Sequence, residues 1–171
     1  ATAEKLIQLY ADKFSILIFR FFNVIGAASP QLLDIESGSL FGNLVRSFVN
    51  QTEVKIYGTD FETPDGTAIR DYIDVRDIAI ALRLGLEKIN REVLINEVYN
   101  IGTNQGVSVL EFTKIFLEEL NFDSDIKFVG RRKGDVSKIF SNSSKIYREL
   151  GFTPKFSLRK SIKDASYFKD F

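Results

Sequence analysis

Residues 63–77 read TPDGTAIRDYIDVRD, which joins a tight turn to an apolar-alternating strand that begins with a cation. Pro64 suits the second position of a turn, and Asp65-Gly66 supplies residues that tolerate a positive φ. The strand then begins at Arg70. Because a planar guanidinium can donate two parallel hydrogen bonds to a phosphate, this arrangement predicts anion binding beside a strand.

The order of turn, cation and tyrosine in residues 63–77 resembles the signature of UDP-glucose (UDP-galactose) 4-epimerases, which belong to the extended short-chain dehydrogenase/reductase superfamily. The resemblance implies that Arg70 contacts the diphosphate of a UDP-sugar. An ordinary hairpin, in which Arg70 pairs with Asp71 at the surface, is the alternative. Fifteen positions in a fixed order are harder to obtain by chance than a short motif, which favours the family interpretation.

The composition excludes several kinds of site. The 23 Lys and Arg residues balance 23 Asp and Glu residues, so no overall field attracts nucleic acid or an anionic membrane. Cys and His are both absent, which excludes disulfides and removes the commonest metal ligand. No apolar run approaches the ~20 residues that span a bilayer. We therefore expect a cytoplasmic protein with a local anion site and with no metal, nucleic-acid or membrane partner.

Hydrophobic periodicity predicts helices and strands that alternate along the chain, as is typical of an α/β fold. The predicted strands cover residues 14–22, 54–58, 70–75, 98–102 and 125–129. The predicted helices cover residues 1 to about 13, 39–50 and 75–89, a segment after Ser108, residues 143–150 and a segment from Ser157. Residues 28–38 are predicted to form a loop. Ligands of open α/β sheets bind at the carboxyl ends of strands, which directs attention to Asn23.

Residues 20–27, RFFNVIGA, resemble a family segment that lines the cleft between cofactor and substrate. The resemblance implies that Phe21 and Phe22 lie close to NAD and that the Asn23 amide reaches the UDP-sugar. The alternative is that both phenylalanines belong only to the core and that Asn23 caps a turn.

Two further segments are similar to parts of the family that bind the nucleotide. Asn43 and Leu44 match an Asn-Leu pair, which implies contacts with the substrate, and with the uracil or diphosphate. Lys55, Ile56 and Tyr57 match a strand whose backbone and aromatic residue lie along the uracil. A solvated helix position for Asn43 and cross-strand packing for Tyr57 are the alternatives.

Residues 130–135, GRRKGD, place three cations between glycines and close with a carboxylate. The segment resembles a family motif in which the second Arg binds the diphosphate and the Asp contacts the ribose or the uracil side. Those roles fall on Arg132 and Asp135, and a solvated basic turn is the alternative. Ile139 matches a variable position of the sugar pocket that is linked to acceptance of N-acetylated sugars.

Two family motifs are not found in the sequence: a glycine-rich loop after a strand and a Tyr-x-x-x-Lys pair. The resemblance places the NAD loop and both catalytic residues before Ala1, so no catalytic residue is expected within these 171 residues. It implies an extended Rossmann-type fold. Residues 1–27 would end the NAD-binding domain, and residues 28–171 would form the UDP-sugar-binding lobe.

The resemblance implies an NAD-dependent isomerase that interconverts UDP-glucose and UDP-galactose by transient oxidation at C4. We expect the intact parent to be a homodimer, and a polypeptide of these 171 residues to be inactive. Two alternatives stay open: another NAD-dependent nucleotide-sugar epimerase, dehydratase or decarboxylase of the superfamily, and a non-catalytic nucleotide-binding module.

Overall fold

The computed structural model describes residues 2–33 and 37–167. Within them the helices are α1 Thr2–Gln8, α2 Leu40–Val49, α3 Val75–Ile89, α4 Val109–Leu120, α5 Ser144–Leu150 and α6 Leu158–Asp164. The strands are β1 Ile16–Phe21, β2 Asn23–Ile25, β3 Val54–Tyr57, β4 Ile69–Arg70, β5 Tyr72–Asp74, β6 Asn96–Ile101, β7 Val107–Ser108, β8 Ile126–Val129 and β9 Lys138–Ile139.

Most strand pairs are parallel and connect segments that are far apart in the chain. Strand β1 pairs with β6, β2 with β5, and β3 with β8. Strand β4 lies between β7, to which it is antiparallel, and β9, to which it is parallel. Parallel pairs need long crossover connections, and helices occupy them here. The α/β class predicted from the sequence is confirmed.

The first helix and strand are shorter than the sequence predicts. Helix α1 ends at Gln8, because the next two amides, those of Leu9 and Tyr10, donate to carbonyls only three residues back. The predicted strand over residues 14–22 starts at Ile16 and is followed by β2 after a one-residue break. The chain changes partner strand at this break, from β6 to β5.

Strands β1 and β2 fall in the predicted unit 1–27, but both pair with strands of the predicted unit 28–171. The division at residue 27 stays a prediction. The predicted loop over residues 28–38 includes residues 34–36, which lie outside the described residues. Its described part contains a short 3-10 helix at Pro30–Leu32.

Helix α2 starts as the sequence predicts. The Ser39 hydroxyl accepts a hydrogen bond from the Gly42 amide at 3.1 Å, which satisfies a backbone donor at the helix start. The apolar face of α2 packs on α4, where the rings of Phe41 and Phe116 meet edge to face with centroids 6.2 Å apart. Helix α2 also contacts β3.

Hydrogen bonds to the Asp65 carboxylate close the turn before Arg70. The Asp65 carboxylate accepts hydrogen bonds from the Thr67 amide at 2.9 Å and from the Thr67 hydroxyl at 2.8 Å, and Ser108 donates to its other oxygen. Gly66 has φ +77°, and a Cβ there would lie 2.3 Å from the Thr59 carbonyl oxygen. The positive φ expected at this turn is confirmed.

The described part of the chain contains no helix long and apolar enough to cross a membrane. No cluster of three or more His, Cys, Asp or Glu residues that could hold a metal ion occurs among the same residues.

Candidate functional site

Two adjoining cavities lie between the start of α2, strand β3 and the loop after β8. We call them the larger cavity, about 440 Å³, and the smaller cavity, about 190 Å³, and together the cleft. Five residues line both cavities: Leu40, Asn43, Lys55, Tyr57 and Arg132. The shared wall makes the cleft a continuous groove with room for an elongated ligand.

The smaller cavity collects most of the residues to which the sequence assigns a polar role. Asn23, Arg70 and Asp135 line it together with Asn43 and Arg132, although residues 23 and 135 are far apart in the chain. The cleft therefore brings both predicted phosphate-binding arginines to one place.

Arg70 is held at the side of the smaller cavity by strand pairing. It lies opposite Val107 of β7 and Ile139 of β9. Its Nη1 donates to the neighbouring Ile69 carbonyl at 2.8 Å, and no carboxylate of residues 2–33 or 37–167 forms an ion pair with it. The surface ion pair between Arg70 and Asp71, which was the alternative, does not form in this part of the chain. The charge is thus available to a ligand.

Asp71 accepts hydrogen bonds from two distant loops and does not pair with the adjacent Arg70. Its carboxylate is fully buried and accepts hydrogen bonds from the amide and hydroxyl of Thr103, at 2.9 and 2.6 Å, and from the Asn104 amide at 3.1 Å. The amide and hydroxyl of Ser141 also donate to it, at 3.1 and 2.6 Å. A buried carboxylate needs such donors, and here they tie two distant loops to the residue beside Arg70.

The two adjacent arginines of the basic loop lie in different surroundings. The Arg132 guanidinium carbon lies 3.9 Å from the centroid of the Tyr57 ring, and both residues line the cleft. Arg131 instead donates to the Asp60 carboxylate at 2.5 Å and stacks over the Phe61 ring at 4.0 Å. Arg131 therefore anchors the loop, and Arg132 offers its charge to the cleft.

Asn43 is already oriented by neighbours. Its amide nitrogen donates to the Gly38 carbonyl at 3.3 Å, and its amide oxygen accepts from Arg46. Lys55 projects from β3 with a half-exposed side chain, 3.7 Å from the Glu53 carboxylate. Three cations and one carboxylate line the smaller cavity, which gives it a positive excess although the whole chain has zero formal charge.

Some predicted site residues do not reach the cleft with their side chains. Ile56 is fully buried, so only its backbone could meet a ligand. Phe21, Phe22 and Ile139 line neither cavity, although Phe21 and Ile139 are nearly half exposed. Leu44 lines the larger cavity while its side chain is almost completely buried. Their ligand contacts stay predictions.

Sequence reasoning missed Tyr72, which lines the smaller cavity. Burial raises the pKa of its hydroxyl, and the charge of Arg70 opposes that rise. The alternation of side chains along a strand would have placed Arg70 and Tyr72 on one side, which is the signal that could have found it. The role of Asp71 offered no comparable signal, because its partners lie 32 to 70 residues away.

Comparisons with known proteins agree on one family. The model of the NAD dependent epimerase/dehydratase family matches residues 1–102. A UDP-glucose 4-epimerase of Haemophilus influenzae is 33% identical over 158 residues, which cover 89% of this chain and 46% of that protein. A putative UDP-arabinose 4-epimerase of Arabidopsis thaliana is 36% identical, with 84% and 34% covered.

A solved structure shares the fold. It is a UDP-glucose-4-epimerase from Stenotrophomonas maltophila with bound NAD and formylated UDP-arabinopyranose, 30% identical, with a TM-score of 0.86. The similarity covers 99% of this chain and 53% of that one. The chain thus spans about half the length of the solved structure, and less than half of the two curated relatives named above.

Proposed function

Because this chain belongs to the NAD dependent epimerase/dehydratase family, we propose that it supplies the UDP-sugar-binding part of a nucleotide-sugar 4-epimerase. One observation carries the proposal: Arg70 and Arg132 line one cavity together with Asn23 and Asn43. Two separate guanidinium groups with amide neighbours suit a diphosphate, which offers several acceptor oxygens and negative charge.

In this proposal the diphosphate occupies the smaller cavity and the uridine extends into the larger one. Arg70 and Arg132 bind the phosphoryl oxygens, and the ring of Tyr57 lies along the uracil. The backbone and the half-exposed side chain of Lys55 extend that wall. Asp135 takes a ribose or uracil-side contact.

The remaining assignments follow from the same orientation of the ligand. The Asn23 amide reaches the sugar side, and Asn43 contacts the substrate with its already oriented amide. Leu44 and Ile56 contribute backbone surface beside the uracil. Ile139, on the strand next to Arg70, borders the sugar.

The described residues fit one side of NAD. Phe21 ends β1 with its ring nearly half exposed, so a flat aromatic surface is available beside Phe22 and the cleft residue Asn23. These residues would contact the cofactor, and we propose that its main binding elements belong to other parts of the intact protein. When bound, NAD would supply reversible hydride acceptance at the sugar carbon. The chain's own residues hold the substrate by its nucleotide.

The proposal also concerns which sugar the UDP-sugar substrate contains. The 36% identity with a putative UDP-arabinose 4-epimerase, and the pentose ligand in the Stenotrophomonas structure, favour UDP-arabinose as the second candidate after UDP-glucose and UDP-galactose. A homodimeric parent and a cytoplasmic location stay predictions from the sequence.

The experiment is calorimetric titration of UDP and of uridine into the protein expressed from its complete gene, followed by turnover assays with UDP-glucose and UDP-arabinose. We expect UDP to bind at least tenfold more tightly than uridine, since each charge-assisted hydrogen bond contributes roughly 1.5–3 kcal/mol. Equal affinity for the two would contradict a diphosphate site. Tight UDP binding without turnover of either sugar would favour the non-catalytic module.

A further inference from the structure

Tyr72 carries an unusual hydroxyl. Among the buried side-chain nitrogen and oxygen atoms of residues 2–33 and 37–167, its Oη alone has no hydrogen-bond partner. Buried polar groups are nearly always paired, because an unpaired group loses its bonds to water without replacement. An exception inside a protein calls for a partner that arrives from outside.

The hydroxyl is held in place by its surroundings. The Tyr72 side chain is 6% exposed, and its ring lies against that of Phe112 with centroids 4.3 Å apart. Its backbone pairs with that of Asn23 in the β2–β5 register. Tyr72 nevertheless lines the smaller cavity, so a fixed aromatic side chain with an unsatisfied hydroxyl belongs to the wall of the cleft.

The charged neighbours in that wall define the missing partner. Arg70, Arg132 and Lys55 can donate hydrogen bonds but cannot accept them, so none can satisfy the Tyr72 proton. Asp135 lines the same cavity, yet no hydrogen bond joins it to Tyr72. A tyrosine hydroxyl is protonated at neutral pH, and burial raises the pKa of this one further. A neutral donor among cations is complementary to an anion that brings acceptor oxygens.

We propose that the Tyr72 hydroxyl donates a hydrogen bond to a phosphoryl oxygen of the diphosphate held by Arg70 and Arg132. This inference rests on the proposed function and adds to it a residue that recognises the phosphate by hydrogen bonding and not by charge. It makes the Tyr72 hydroxyl a determinant of selectivity for UDP over uridine, since only UDP brings that oxygen.

The test is Tyr72→Phe in the protein expressed from its complete gene, with UDP and uridine as calorimetric probes. The change removes the hydroxyl and keeps the ring that packs on Phe112. We expect UDP to bind about tenfold more weakly and uridine to bind unchanged. The melting temperature should not fall, because the hydroxyl has no partner to lose within the described residues.

Tyr99→Phe is the matched control. Its hydroxyl donates to Glu149 at 2.7 Å, and Tyr99 lines neither cavity of the cleft. Its removal should lower the melting temperature and leave UDP affinity unchanged. The opposite responses of two buried tyrosines separate ligand binding from stability.

The outcomes are distinct. If the wild-type protein binds UDP and Tyr72→Phe binds it equally well, or loses UDP and uridine affinity alike, the inference is wrong while the proposed function stands. If the wild type does not prefer UDP to uridine, both fail. A crystal structure of the wild type with UDP tests the contact without a variant: Oη should lie about 2.5–3.0 Å from a phosphoryl oxygen, and a separation above about 3.5 Å overturns the proposal.

Discussion

Adjacent charged residues have separate roles in this protein. Arg131 forms an ion pair with Asp60 and stacks on Phe61, whereas Arg132 lies over Tyr57 in the wall of the cleft. Likewise, Arg70 faces a cavity while its neighbour Asp71 is buried among backbone and hydroxyl donors. Side-chain direction and the partners within reach decide each role, and residue type alone does not.

Replacing Arg70 or Arg132 by Ala should weaken UDP binding about ten- to a hundredfold, because each removes a charge-assisted contact of roughly 1.5–3 kcal/mol. Lys at either position should restore only part of the affinity, since a point charge lacks the planar fork. Titration calorimetry measures both effects. Arg131→Ala is the control, with a lower melting temperature and nearly unchanged affinity expected; equal losses for Arg131 and Arg132 would remove Arg132 from the diphosphate.

Ile139 offers a test of the sugar side. Its branched side chain should restrict the pocket less than Tyr and more than Ala, so Ile139→Tyr in the intact protein should disfavour N-acetylated UDP-sugars selectively. The measurement is kcat/KM for plain and N-acetylated substrates. Because Ile139 lines neither cavity of the cleft, UDP affinity should not change. A loss of the same size for both substrates would show that Ile139 does not border the sugar.

At the scale of elements, a short strand and the turn before it set the position of Arg70 in the cleft. Strand β4 contains only two residues, yet it is paired on both sides. The turn before it is braced by Asp65, Thr67 and Ser108. A rigid turn and two-sided pairing together limit the freedom of Arg70, which favours binding because less entropy is lost when the ligand arrives.

Gly66→Ala should destabilise the fold by about 1–3 kcal/mol, because it forces a side chain into a positive φ and against the Thr59 carbonyl. Chemical denaturation measures the change in the free energy of unfolding. Gly130→Ala is the control: it lies in the loop beside Arg131, and a Cβ there meets nothing within 4 Å. Similar costs for the two variants would show that the turn tolerates a side chain.

For the molecule as a whole, the last helix is tied back to the middle of the chain by charge. The Arg76 guanidinium donates to the buried carboxylate of Asp74 and, at 2.7 Å, to Asp164 of α6. It also stacks over the Phe156 ring at 3.8 Å. One side chain therefore links α3 and β5, the strand that contains Tyr72, to α6, whose Ile162 belongs to the same core cluster as Tyr72 and Phe112.

This link should depend on pH. Hydrogen bonds from Arg76 and Lys160 lower the pKa of Asp164 below its ordinary value near 4. A lowered pKa in the folded state means that the carboxylate stabilises the fold fully above that ordinary value, and that this contribution is lost as pH falls through the lowered pKa.

Asp164→Asn should therefore reduce the free energy of unfolding at pH 7 by about 0.5–1 kcal/mol, the amount typical of a partly exposed ion pair. The gap between variant and wild type should narrow as the pH falls from about 5 to 2. Urea denaturation at several pH values measures it. A gap that stays constant over this range would mean that the charge of Asp164 contributes nothing.

The sequence by itself determined the α/β class, most helix and strand positions, the positive φ at Gly66 and the identity of Arg70 and Arg132 as candidate anion ligands. These features depend on local periodicity, on turn chemistry and on residue type, which can all be read from about a dozen consecutive residues. Resemblance to a family suggested the ligand, which stays a proposal, and family membership is shown by the comparison.

Only the tertiary structure decided which groups meet. It split the first strand between two partner strands, buried Asp71 among donors from two distant loops and turned Arg131 away from the cleft. It also left the Tyr72 hydroxyl with no partner among the described residues, in a cavity that Arg70 and Arg132 line. The physical reason is that hydrogen bonds and burial are satisfied by whichever atoms packing brings near, and those atoms lie tens of residues away in the chain.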